Sequence, residues 1–211
     1  MSTIQYELAT YTFGEQRRLV QVPNEEQIKA WYQQARWEAN PPDFPFWARV
    51  WPSAIQMTWF LHQHPSLYTG KRVLEIAAGL GLPSLYAADQ AAAVLATDYS
   101  PEAVECMQHS IIANGWTNMK AEIYNWHDGL PQQQADLLLL SDTNYAEKDL
   151  QAVEAIIHHY LQQETTVMIT TPTRVVARQM LQDLQPFCYH RSESKTGDGL
   201  VTYLLSKNII G

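Results

Sequence analysis

The stretch Arg72-Val73-Leu74-Glu75-Ile76-Ala77-Ala78-Gly79-Leu80-Gly81-Leu82-Pro83 constrains the fold more than any other part of the chain. An aliphatic and β-branched run gives way to small residues and then to Ser84-Leu85-Tyr86-Ala87-Ala88-Asp89, a helix-compatible segment. Strand, glycine turn and helix form the opening unit of a doubly wound α/β sheet, whose ligands bind at the carboxyl ends of strands. Gly79 and Gly81 carry no side chain, so the backbone there can approach a ligand closely. A second run, Ala93-Val94-Leu95-Ala96-Thr97, ends in Asp98, about 20 residues past the glycines, where nucleotide-binding folds put an acid on ribose hydroxyls. Together these features point to an adenosine-containing ligand and leave its identity open.

The rest of the chain continues the alternation. Ser100 is placed to cap a helix that Pro101 opens, with Val104, Met107 and Ile111 as its buried stripe and Asn114-Gly115 as its stop. Met119 to Tyr124 is a third strand, followed by Asn125-Trp126-His127-Asp128. Ala135-Asp136-Leu137-Leu138-Leu139-Leu140 has the profile of a central parallel strand, and Ser141-Asp142-Thr143-Asn144-Tyr145 follows it. A helix with Leu150, Val153, Ile156, Ile157 and Tyr160 inward, a strand from Thr166 to Thr170 and a helix from about Thr173 to Leu184 come next. Phe187 to Glu193 and Leu200 to Ser206, joined through Gly197 and Gly199, read as an antiparallel hairpin. The predicted architecture is a Rossmann-like, seven-stranded sheet, mostly parallel, closed by a C-terminal antiparallel hairpin.

Ahead of this core, Ile4 to Val22 reads as a hairpin or extended arm around Gly14. Asn24-Glu25-Glu26 starts a helix with Ile28, Trp31, Tyr32 and Ala35 on one side, and Asn40-Pro41-Pro42 stops it. We therefore expect one domain over residues 1–211, with an extension at 1–44 and the cofactor-binding and catalytic core at 45–211. Pro52 opens a further helix running to about His62, with Trp51, Ile55 and Trp59 one turn apart. Trp59 is expected in the core, whereas Trp51, next to the glycine unit, suits a pocket wall as well as the core.

Composition excludes several function classes. The net charge of −8, from 14 Lys plus Arg against 22 Asp plus Glu, argues against a nucleic-acid substrate, and no basic cluster longer than Arg17-Arg18 occurs. Cys106 and Cys188 lie outside any metal-ligand spacing, which predicts no metal site and suits a reducing cytoplasm. No apolar run is long enough for a membrane span or a signal peptide.

The closing hairpin, with Glu75 in the first strand, resembles the class I S-adenosylmethionine-dependent methyltransferases. A dinucleotide domain instead wants a third small residue where Ser84 stands. A carboxylate at Glu75 suits an ammonium and a sulfonium and would repel a pyrophosphate, although an acid there could also cap local amides. Phe46-Trp47-Ala48-Arg49-Val50-Trp51-Pro52, Val73 to Pro83, Thr97-Asp98, Asn125-Trp126 and Ser141-Asp142-Thr143-Asn144-Tyr145 occur in this order. As a set they resemble the seven-β-strand protein lysine methyltransferases, in particular the branch with the enzyme that acts on the electron-transfer flavoprotein β subunit. Ala77 stands where that family usually has glycine. The resemblance implies S-adenosylmethionine as cofactor, bordered by Trp51, with backbone contacts from Ala77, Ala78 and Gly79 beside Gly81. It implies Glu75 on the cofactor, Asp98 on its ribose, Trp126 against its adenine and Ser141 approaching from the fourth strand. Asp142 and Tyr145 match the family's Asp-x-x-Tyr signature at the acceptor: a carboxylate to dock an ammonium and a ring to face the same cation. Asp142 could equally cap the helix that follows, and His127 is a candidate base only by its nearness to Trp126. The implied acceptor is a protein lysine, in a basic segment given the acidic chain. A small-molecule amine, a non-catalytic adenosine-binding module and, more distantly, a nicotinamide dehydrogenase are the alternatives.

Overall fold

The structure, a computed structural model, describes residues 4–144, 146–173, 177–194 and 199–208. Its centre is a seven-stranded sheet built from β3 (Arg72–Ile76), β4 (Ala93–Asp98), β5 (Met119–Ile123), β6 (Leu137–Ser141), β7 (Thr166–Pro172), β8 (Cys188–Glu193) and β9 (Leu200–Leu205). The strand order is β5-β4-β3-β6-β7-β9-β8. The first five strands pair in parallel, and β9 pairs antiparallel with both β7 and β8. The closing hairpin thus lies inside the sheet, its second strand against β7 and its first at the edge.

Alternation along the strands divides the interior between two faces. Val73, Leu137 and Leu139 face one core, with Met57 and Leu61 of α2 (Pro52–Gln63), Leu85 of α3 (Leu82–Ala87) and Met107 of α4 (Pro101–Asn114). Leu74, Ile76, Leu138 and Leu140 face the other, with Val153, Ile156 and Tyr160 of α5 (Glu147–Gln162) and Met180 of α6 (Arg178–Asp183). The four leucines of β6 are essentially inaccessible to solvent, as a central strand covered on both faces requires. Each contributes roughly 1.5–3 kcal/mol of burial.

The N-terminal segment forms a separate antiparallel pair, β1 (Tyr6–Phe13) and β2 (Gln16–Pro23), and then α1 (Glu25–Ala35). β2 is fastened to α4: Gln21 N–H donates to Ser110 Oγ at 2.8 Å, and Leu19 N–H donates to Asn114 Oδ1 at 3.0 Å. The Asn24 side chain caps α1 by accepting from Gln27 N–H at 3.0 Å. Ile28 and Ala35 are the buried members of the expected stripe.

Some boundaries and placements differ from expectation. β7 extends to Pro172 because β9 pairs with its last residues. The helix expected from Thr173 is described only from Arg178, residues 174–176 lying outside the described set. Trp59, expected in the core, is 38% exposed, its ring packed edge-on against Phe13 at 5.1 Å. It sits at the rim of the hairpin's contact with α2, where a large ring covers its neighbour without being enclosed. Among the described residues no helix is long and apolar enough to cross a membrane.

Candidate active site

The chain passes from β3 to β4 on one side of the sheet and from β6 to β7 on the other, so the topology reverses between β3 and β6. Parallel strands leave a crevice at their carboxyl ends at such a point. Here it holds a cavity of about 340 Å³, lined among others by Trp51, Ala77, Ala78, Gly79, Gly81, Asp98, Trp126, Ser141 and Asp142. Of the residues singled out in the sequence, these nine are brought together.

The turn after β3 is wound tightly. Ala78 N–H donates to Thr97 O at 2.9 Å and Gly81 N–H to Ala78 O at 2.8 Å. Ala77, Gly79 and Gly81 take φ of 53°, 56° and 70°. A Cβ on Gly81 would come within 2.8 Å of Met107 Sδ, and one on Gly79 would lie 3.5 Å from Trp47 O. Ala77 alone in this turn carries a side chain in the left-handed region, which favours the glycine that the family usually has there.

Asp98 ends β4 and is 3% exposed. Its Oδ2 accepts Gly79 N–H at 2.8 Å and its Oδ1 accepts Ser100 N–H at 3.0 Å, so the acid ties the glycine turn to the start of α4. Burial raises its carboxyl above the usual aspartate value, against the opposing effect of those amides.

Glu75, expected on the cofactor, points to the face of β3 that it shares with Val73, the face packed by α2 and α3. It is fully buried and absent from the cavity wall. Its Oε2 accepts both Ser84 N–H at 3.0 Å and Ser84 Oγ–H at 2.6 Å, so the carboxyl occupies the amino end of α3. Burial pushes it up to about 8, the Ser84 bonds opposing the shift and nearby Asp98 adding to it.

Trp51 precedes α2, and its Nε1 donates to Phe46 O at 2.7 Å, which fixes the ring at the cavity's edge. Rings continue outward from it: Phe46 lies 6.1 Å from Trp51, Phe44 4.8 Å from Phe46, and Tyr32 of α1 5.0 Å from Phe44. This roof covers a second cavity of about 280 Å³, which shares Phe46, Ala77, Tyr99 and Trp126 with the first. Trp126 lies in a short 3-10 turn after β5. His127 Nε2 is 3.1 Å from Trp126 Nε1 and 2.9 Å from Asp149 Oδ1. One nitrogen cannot accept from the indole and donate to the carboxylate at once, so the tautomer of His127 decides which of the two contacts is a hydrogen bond.

Asp142 follows β6 at φ 55°, with its N–H donating to Thr170 O at 2.9 Å. The helix after it is preceded by Ala146 with no side-chain cap, so Asp142 is not a helix cap. Asn144 is buried and accepts from Thr171 Oγ1 at 2.6 Å, which anchors the segment between β6 and α5. Tyr145 lies outside the described residues. Arg49, Phe46 and Tyr99 also line the first cavity, and the sequence reading gave them no role. Tyr99 was within reach, since it directly follows Asp98; Arg49 lies in irregular chain without periodicity. Among the described residues no group of acids, histidines and cysteines could hold a metal ion.

The sheet order and the crevice are those of the class I S-adenosylmethionine-dependent methyltransferase fold. Solved structures share the fold: a T. thermophilus 16S rRNA methyltransferase in complex with AdoMet and guanosine (TM-score 0.66, 12% identity, 96% of this chain and 51% of that one), and a putative RNA methyltransferase from Pyrococcus horikoshii (0.61, 15%, 87% and 98%). The chain belongs to the lysine methyltransferase family, whose model matches residues 46–185. Among curated relatives, the mouse protein-lysine methyltransferase METTL21E is 34% identical over 58% of this chain and 54% of its own length. The human histone-arginine methyltransferase METTL23 is 28% identical over 60% of this chain and 70% of its own length. The chain thus spans little more than half the length of several of the relatives it matches.

Proposed function

We propose that this methyltransferase transfers a methyl group to the side-chain amine of a protein lysine. The observation that carries the reading is the Asp142 carboxylate on the wall of the same cavity as the glycine turn and Asp98. Family membership and the relatives named protein-lysine methyltransferases support it. The residues present suit the cofactor, because aromatic rings, the backbone of the glycine turn and the carboxyls of Asp98 and Asp142 line a cavity of small-molecule size.

In this reading Trp51 borders the cofactor, Trp126 lies against the adenine and Asp98 takes the ribose hydroxyls. Ala77, Ala78 and Gly79 present backbone, with Gly81 letting α3 approach, and Ser141 closes the wall from β6. Glu75 supports the turn from behind without contact. The bound cofactor supplies an electrophilic methyl group on a sulfonium. Asp142 docks the incoming ammonium and Tyr145 is assigned the neighbouring face of that cation; the nitrogen gives up a proton to free its lone pair before it attacks in line. Residues 1–44 serve as an extension packed on the core. The two free cysteines, Cys106 and Cys188, suit a reducing cytoplasm.

Calorimetry with S-adenosylhomocysteine and labelling of a lysate with labelled S-adenosylmethionine test the proposal together. Tight binding, with label on a lysine located by mass spectrometry, is expected. Asp142→Ala should reduce transfer at least a hundredfold and change S-adenosylhomocysteine affinity less than threefold, about the cost of losing a charge-assisted positioning contact. Label on arginine would favour the second reading raised by the histone-arginine relatives. Label only in metabolites would move the acceptor to a small-molecule amine.

A further inference from the structure

We propose that Arg49 anchors the carboxylate at the methionyl end of the cofactor, an inference that rests on the cofactor assignment above. That end of the ligand is an amino acid, so it brings an anion as well as an ammonium into the crevice. Among the described residues, the charged side chains lining the larger cavity are Asp98, Asp142 and Arg49. The two acids suit the ammonium and the acceptor cation and would repel a carboxylate.

Two neighbouring sets of donors are engaged by the protein itself. In the glycine turn, the N–H groups of Ala78, Gly79 and Gly81 already donate to Thr97 O, Asp98 Oδ2 and Ala78 O. At the amino end of α3, Ser84 N–H and Oγ–H both donate to buried Glu75. Of the described side chains on the wall of the larger cavity, the Arg49 guanidinium is the cation that can pair with a ligand carboxylate.

Arg49 is held where it can serve. Its guanidinium carbon lies 4.7 Å over the Trp51 ring, so the planar fork is oriented on a residue that also lines the cavity. Its ion pair with Glu25 is loose at 3.9 Å, and both side chains are about half exposed, 48% and 50%. Such a pair is weak and leaves donors for a bidentate carboxylate contact, which suits arginine better than lysine.

The test compares S-adenosylhomocysteine with its decarboxylated analogue, the same molecule with hydrogen in place of the carboxyl group, by calorimetry. Arg49→Met, which keeps an unbranched stem and removes the guanidinium, should weaken S-adenosylhomocysteine at least about tenfold and leave the analogue within about twofold. Arg49→Lys should recover part of the loss and serves as the second variant if the first fails to fold. Equal weakening of both ligands would reassign Arg49 to the support of the Trp51 roof, and unchanged affinity for both would equally overturn the proposal. A wild-type protein that binds neither ligand would instead defeat the cofactor assignment itself.

Discussion

Ala77 and Asp142 hold φ of 53° and 55° with a Cβ attached, and they line the same cavity from neighbouring strands. Left-handed backbone costs a non-glycine residue about 1 kcal/mol or more and persists only where its surroundings fix it. The strain at Ala77 was legible, because the family has glycine there; nothing in Asp142-Thr143-Asn144 announces it at Asp142. Glu75 shows how parity decides a role: it lies on the same face of β3 as Val73, and that face is packed by the core. The cofactor class inferred partly from that acid rests instead on the family to which the chain belongs. A consequence follows for pH dependence. The carboxyl of Glu75 sits at about 8 when folded against 4.5 for the ordinary side chain, so the folded state binds its proton more tightly. The stability this proton confers is fully present below about pH 4.5 and is lost as pH rises through about 8. Urea unfolding at pH 6 and pH 8.5 should show the wild type weakening more than Glu75→Gln. Parallel slopes for the two proteins would sink the account.

Elements with strong local signals were found where the sequence put them. Asn24 caps α1, and Ser100 caps α4 by accepting from Ala103 N–H, with left-handed Gly115 ending that helix. The C-terminal hairpin and the leucine run of β6 were equally legible, since turn glycines and an all-apolar strand leave few alternatives. What local signals could not supply was the join between elements. Arg18 of β2 is 5% exposed, pairs with Asp89 beyond α3 at 3.3 Å and lies 4.9 Å from the Tyr86 ring and 5.4 Å from the Trp116 ring. In the sequence it was half of an unremarkable basic pair; in the fold it rivets the N-terminal hairpin to two helices. Breaking a buried pair leaves a charge uncompensated, a cost reduced here because Asp89 is about one-third exposed. Arg18→Ala is expected to destabilise the protein by roughly 2–3 kcal/mol. A loss below about 0.5 kcal/mol in denaturant unfolding would show that the hairpin is held by its backbone bonds to α4 instead.

At the scale of the molecule, the net charge of −8 acts together with the position of the crevice. Asp43 and Asp149 line the second cavity with Lys148, Asp98 and Asp142 the first with Arg49, and Glu25 and Glu26, both paired with Lys29, open α1 beside the aromatic roof, so acids outnumber bases here too. A basic peptide approaching this face is drawn in by several carboxylates at once, whereas a small monoamine feels little beyond its own docking site. The field of exposed charges reaches about 30 Å at 0.01 M salt and about 8 Å at 0.15 M. For a lysine-containing basic peptide, kcat/KM should therefore fall at least severalfold between those salt concentrations, mostly through the encounter rate. The affinity for S-adenosylhomocysteine, whose contacts are local and enclosed, should change much less. A basic peptide showing no more salt dependence than a small amine would mean that the acidic surface plays no part in choosing the acceptor. Asp142 would then be left to recognise the amine without help from the rest of the molecule.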